Sequence, residues 1–158
     1  MTIAYDVVTA AITGIMVGNE FAVAAFVHPH LRGLDDRAHA KTAAPLAGSL
    51  GKAMPIWYGL SLVLILIATF EHRPISNGPG LLLASAALLW AATIVFTVTM
   101  LVPINSRIAR MNPEQPYEGW LRDRARWDQL HLIRVALLIV AQLLLFAGLF
   151  SGATIPAS

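Results

Sequence analysis

Four apolar runs divide the chain: Tyr5 to Val27, Met54 to Phe70, Gly80 to Val102 and Leu130 to Phe150. A helix on the surface of a soluble protein carries a polar face that returns every three to four residues, whereas these runs are apolar all round. At about 1.5 Å per residue each run covers roughly 25 to 35 Å, which matches a hydrocarbon core of about 30 Å. The pattern predicts an all-α protein, a four-helix transmembrane bundle forming a single domain over residues 1–158, with helices at about 5–27, 54–70, 80–102 and 130–150. The second run is the shortest and gains Trp57 and Tyr58 as interfacial anchors.

The polar stretches between the runs differ in kind. EHRPISNGPG holds two prolines and two glycines and reads as a tight turn, which makes the second and third helices antiparallel neighbours. The other connections, His28 to Ala53 and Pro103 to Gln129, are longer and charged. AHAKTAAPLAGSL adds helical turns ahead of the second membrane helix, and EGWLRDRARWDQL forms a helix that runs into the fourth. Neither an internal repeat nor a second domain is visible. Arg32, Arg37, Lys41 and Lys52 fall in the first connection and Arg107, Arg110, Arg122, Arg124 and Arg126 in the third, against Arg73 alone in the second. The positive-inside rule then places both long connections in the cytoplasm, with both termini on the opposite side of an inner membrane.

Composition narrows the chemistry. Only 13% of residues are charged while 57% are hydrophobic, so lipid is the main solvent. The absence of cysteine excludes disulfides, thiolate catalysis, zinc-thiolate sites and iron-sulfur clusters. With a net charge of +2 and arginines placed beside membrane segments, nucleic acid is not an expected partner. No Lys or Arg precedes the first run, which is too long for a signal-peptide core and reads as a retained membrane helix.

Ionisable groups within apolar helices are expensive and each calls for a partner or a purpose. Glu20 is the deepest. His28 lies eight residues on, about 12 Å along a regular helix and about 80° away in azimuth. Pro29 cannot continue the hydrogen-bond ladder, so the helix is expected to loosen there, with His30 solvated at the interface. Gly14, Gly18 and Ala22 form a small-residue ridge suited to close helix approach. In the fourth helix Trp127, His131, Arg134, Leu138 and Gln142 follow at steps of four, three, four and four and share one face. The third helix brings Thr93, Thr97 and Met100 on one stripe; Pro103 is expected to break it and to present Asn105 just beyond.

These residues admit three readings. In one, an enzyme uses His131 as a base, since imidazole has an unperturbed pKa near 6.5 and a neighbouring cation keeps it neutral, with Arg134 and Asn105 holding a developing negative charge. In a second, Glu20, His28 and His131, with Asn105 or Asp128, ligate iron, copper or zinc, or histidines from two helices hold a haem. In a third, a small transporter or binding module uses Glu20, His131 and Arg134 as a ligand site or proton relay. Against transport stand the four spans, the lack of an inverted repeat and the scarcity of polar residues in the far half of the bundle.

The order T-x5-P-I-N (Thr97, Pro103, Ile104, Asn105) at the end of the third helix, W-x3-H-x2-R (Trp127, His131, Arg134) at the start of the fourth, and His28-Pro29 after the first resembles the anthrone-oxygenase-like family of small four-helix membrane proteins. The resemblance covers essentially the whole chain. It implies an oxidoreductase, since fungal members oxidise an anthrone to an anthraquinone with molecular oxygen. On that footing a flat, weakly acidic aromatic substrate is expected to enter from the cytoplasmic leaflet and stack near Trp127, with Thr97, Glu20 and Gln142 completing its pocket. The cofactor stays open between none, a metal such as iron or copper, and haem. A homo-oligomer is also open.

Overall fold

The computed structural model describes residues 3–151, and within them the chain is four helices and their connections. We number them α1 (Ile3–Arg32), α2 (Asp36–Glu71), α3 (Gly78–Ala109) and α4 (Trp120–Phe150), each long and apolar enough to cross a membrane. They form an up-down-up-down four-helix bundle. The fold thus agrees with the apolar pattern, but the helices are longer than the runs at several ends, most of all at the start of α2.

Local chemistry sets those ends. The Asp35 side chain accepts from the N–H groups of Arg37 and Ala38 and so caps α2, which starts at Asp36, well ahead of Met54. The alanine-rich stretch that follows propagates the helix through Pro45 and into the apolar run. Gly119, at φ 82°, turns the chain into α4, a left-handed conformation that suits glycine. The loop between α2 and α3 is the expected tight turn, and Gly80 sits where an added Cβ would lie 2.3 Å from the His72 carbonyl oxygen.

Pro29 and Pro103 do not end their helices as the sequence led us to expect. Each follows a π-helical stretch, Val23–Val27 in α1 and Thr97–Leu101 in α3, in which the N–H of His28 bonds to the Val23 carbonyl and that of Val102 to the Thr97 carbonyl, five residues back. The wider turn accommodates a ring that lacks an N–H and would clash with the carbonyl four residues earlier, so the helix continues. One extra residue in a turn rotates everything after it by about 100°. The roughly 80° that would separate Glu20 from His28 in a regular helix falls to about 20° in magnitude, and both side chains turn inward.

Packing distributes into two clusters. One fills the middle and far half of the bundle around Met16, Ile65, Leu83, Trp90, Leu138 and Leu145; the other, at the charged end, joins Ala40, Ala43, Ala47, Ile104, Ile108 and Trp120. The closest backbone approach is not along the small-residue ridge of α1. A Cβ on Gly18 would meet nothing within 4 Å and one on Gly14 would sit 3.8 Å from Phe146, whereas one on Gly148 of α4 would lie 2.6 Å from Leu83 of α3. The tight seam is therefore α3 against α4.

Candidate functional site

Four buried charged side chains meet at the charged end. Glu20 of α1 reaches Arg134 of α4, with Arg134 Nη2 donating to Glu20 Oε2 at 2.5 Å. The same Nη2 donates to His131 Nδ1 at 2.8 Å, one turn earlier on α4. With Nδ1 accepting, the neutral ring carries its proton on Nε2, which donates to the backbone carbonyl of Glu20 at 3.2 Å. Both nitrogens of His131 are thus engaged by protein. The Tyr58 hydroxyl of α2 approaches the Glu20 carboxylate without closing a well-formed hydrogen bond.

A second pair sits nearer the surface. His28 Nδ1 lies 3.2 Å from Asp128 Oδ1, and the same carboxylate oxygen is 3.0 Å from Arg124 Nη2, with the exposed Arg32 at 3.7 Å from Oδ2. Asp128 and Arg124 are i, i+4 neighbours on α4, a spacing that brings side chains together. The contact sets the carboxylate beside Nδ1 without closing a well-formed hydrogen bond, and no described hydrogen bond engages Nε2. The rings of His28 and His131 lie 4.9 Å apart. Each pair balances a carboxylate with a guanidinium, the arrangement that makes buried ions tolerable.

Trp127 is the wall between the pairs. Its ring stacks on His131 at 4.8 Å with an interplanar angle of 14°, meets His28 edge-on at 5.0 Å and has the Arg124 guanidinium 4.9 Å from its centroid. Its ring is thus in contact with both histidines and with Arg124.

These groups line one side of a cavity of about 210 Å³ whose other walls are apolar residues of α2 and α3, Leu50, Met54, Ile94 and Leu101 among them. Glu20, His28, Thr97, Asn105, Trp127, His131 and Arg134 all border it. Thr97 spends its hydroxyl on the Thr93 carbonyl at 2.8 Å. Asn105 donates one amide hydrogen to the Ala47 carbonyl of α2 at 3.0 Å and keeps the other. Arg134 Nε is buried with no hydrogen-bond partner, a donor that calls for an acceptor. Gln142 does not reach the cavity: two turns deeper than Arg134, its amide lies beside Gly14, and both of its polar atoms are unpartnered. His30 bonds to the Phe26 carbonyl outside the cavity.

The metal set drawn from the sequence is not assembled. Among the described residues no three His, Asp or Glu side chains converge as ligands. Glu20 is taken by Arg134, His28 by Asp128, and His131 by Arg134 and a backbone carbonyl. The sequence undervalued three contributors. Arg124, counted there only as a topology charge, shares with Asp128, His131 and Val135 the spacing that marks the inward face of α4. Tyr58 and Met54 belong to a helix whose role looked purely structural, and only the crossing of α2 over the cavity reveals them.

Helices and site together define an integral membrane protein with a buried, charge-balanced polar pocket opening on an apolar cavity. The chain belongs to the anthrone oxygenase family, whose profile matches residues 4–144. No curated protein and no solved structure matches it.

Proposed function

We propose that this protein is a membrane-embedded oxygenase that converts a hydrophobic, anthrone-like aromatic molecule with molecular oxygen, in the cavity bounded by His28, Asn105, His131 and Arg134. The observation that carries the reading is His28, with the Asp128 carboxylate 3.2 Å from Nδ1 and no described hydrogen bond at Nε2, at the edge of an apolar cavity that Arg134 also borders. Because both nitrogens of His131 are engaged, the proton-accepting role passes to His28, and His131 with Glu20 becomes the frame that orients Arg134.

In this mechanism His28 Nε2 takes a proton from the ring methylene of the substrate, and the electron pair moves onto the substrate oxygen. Arg134 Nε and the second amide hydrogen of Asn105 stabilise that oxygen, worth a few kcal/mol in a dry pocket. Molecular oxygen adds to the electron-rich ring carbon, His28 returns the proton to give a hydroperoxide, and loss of water leaves a carbonyl. One oxygen atom ends in the quinone and the other in water, so the substrate supplies all the electrons. In this reading the charged end faces the cytoplasm across an inner membrane, with both termini opposite; the nine basic residues flanking that end support it.

The test is turnover of anthracen-9(10H)-one by protein in nanodiscs, followed by oxygen uptake and quinone absorbance. His28→Ala lowers kcat by about 10²- to 10⁴-fold in this reading, and Asp128→Asn lowers it through loss of the oriented tautomer. Full activity in a folded His28→Ala protein removes His28 as the base.

A further inference from the structure

The cavity is sealed on most sides. Every lining residue on α1 and α4 is buried or half-buried, and the exposed ones come only from α2 and α3: Gly51, Pro55 and Gly59 on the first, Val98 and Val102 on the second. The three α2 positions recur every four residues and so form one stripe, and the two α3 positions form another. Two have no side chain and one is a proline ring. A Cβ added at Gly59 would meet nothing within 4 Å, whereas one at Gly51 would lie 2.9 Å from the Asn105 amide nitrogen, so the open space is at the Gly59 level and closes toward Asn105.

The two helices are pinned above and below this gap. At the charged end Asn105 donates to the Ala47 carbonyl at 3.0 Å; deeper in the bundle the Trp90 indole N–H donates to the Tyr58 carbonyl at 3.4 Å. Between these levels no described side-chain hydrogen bond joins α2 to α3. From Ala47 to Tyr58 is roughly 16 Å along a helix. Val98 lies within the π-helical stretch Thr97–Leu101, where the backbone of α3 departs from regular geometry beside the gap. All five residues are uncharged, and they lie on helices that cross the membrane.

We propose that this gap between α2 and α3 is a lateral portal, through which a neutral, flat, lipophilic substrate passes from the hydrocarbon of the bilayer into the cavity. The proposal rests on the oxygenase reading for the identity of the substrate, though not for the existence of the opening. It defines the substrate class: a molecule that partitions into lipid uncharged and becomes an anion only beside Arg134. A charged molecule dissolved in water does not take this route. Asn105 gains a second role, since it closes the upper end of the portal while facing the cavity.

The natural chain has no cysteine, so one introduced thiol reports access without any turnover. Met54→Cys places it on the buried cavity wall. In proteoliposomes the thiol is expected to react with lipid-soluble N-phenylmaleimide and to resist a permanently charged, water-soluble thiosulfonate. Adding Val98→Trp, or Gly59→Trp where space is open, slows the maleimide reaction by about tenfold or more, while Leu88→Trp, exposed elsewhere on α3, leaves it unchanged. Having both tryptophan variants guards against one failing to fold. The portal is overturned by an unchanged rate in the folded portal variants, by faster reaction with the charged reagent, or by no reaction with either. None of these outcomes bears on His28, so failure of the portal is separable from failure of the catalytic reading.

Discussion

The two halves of the bundle bury different kinds of polar group. In the half away from the charged end the fully buried polar residues are uncharged, and the threonines turn back on their own helices: Thr13 donates to the Thr9 carbonyl and Thr93 to that of Leu89, each at 2.8 Å. Ser61, Gln142 and the Thr9 hydroxyl are buried with no partner. In the charged half ion pairs run between helices, Glu20 of α1 to Arg134 of α4 and His28 of α1 to Asp128 of α4, although Arg124 Nε, Arg134 Nε and both Asp128 oxygens lack a hydrogen-bond partner. Fully buried Met16 and Leu138 lie between the two sets on α1 and α4. In one half the links between helices are single neutral hydrogen bonds from Tyr5, Trp57 and Trp90 to backbone carbonyls; in the other they are ion pairs that only the assembled bundle completes, which couples its chemistry to the fold.

That contrast is broken or sharpened first by removing one partner of the deep pair. Arg134→Met leaves the Glu20 carboxylate buried and uncompensated, and is expected to cost about 3 to 5 kcal/mol in unfolding measured from mixed micelles. Combining it with Glu20→Leu removes both charges and restores most of that stability, because no ion is left stranded. If Arg134→Met alone unfolds like the natural protein, the deep pair does not tie α1 to α4. The opposite half predicts a smaller response: Gln142→Leu changes stability by no more than about 1 kcal/mol, in either direction, since its amide makes no bond to lose. A loss well above that means the amide is held by something else, such as an ordered water.

How far the sequence discloses this arrangement follows from the same residues. The helices are legible because lipid demands apolar residues on every face, a signal that survives without any partner. The polar face of α4 is legible too, since the steps from Trp127 to His131 to Arg134 need only a regular helix. His28 is not. Read as a regular helix, α1 sends it about 80° away from Glu20, and its proline reads as an end rather than a continuation. Its pairing with Asp128 depends on the π-turn at Val23–Val27 and on how α4 crosses α1, neither of which is local. The metal set failed for a related reason: spacing brought Glu20, His28 and His131 near one another, but guanidiniums from α4 and a carboxylate reached them first. The early start of α2 was hidden because its first turns lie outside the apolar run, and only the Asp35 cap marks them.

The smallest expected effect lies outside the membrane spans, where the comparison turns to water. Glu114, in the connection between α3 and α4, pairs with Lys41 of α2 at 2.8 Å and with Arg37. Hydrogen bonds from those two cations hold its carboxyl below the ordinary value of 4.5. A carboxyl whose folded value is depressed contributes stability that is present above its unfolded value and is lost as pH falls through the folded one. The contact should therefore be intact at neutral pH and loosen only below about pH 4.5. Hydrogen exchange of the 110–119 connection, taken relative to the intrinsic rate at each pH, is expected to rise in that acid window and to rise at pH 7 in Glu114→Gln, with no effect on global unfolding, because exposed pairs are screened by solvent and salt. A global loss of stability in Glu114→Gln would mean that this solvated connection, and not only the buried pairs of α1 and α4, holds the bundle together.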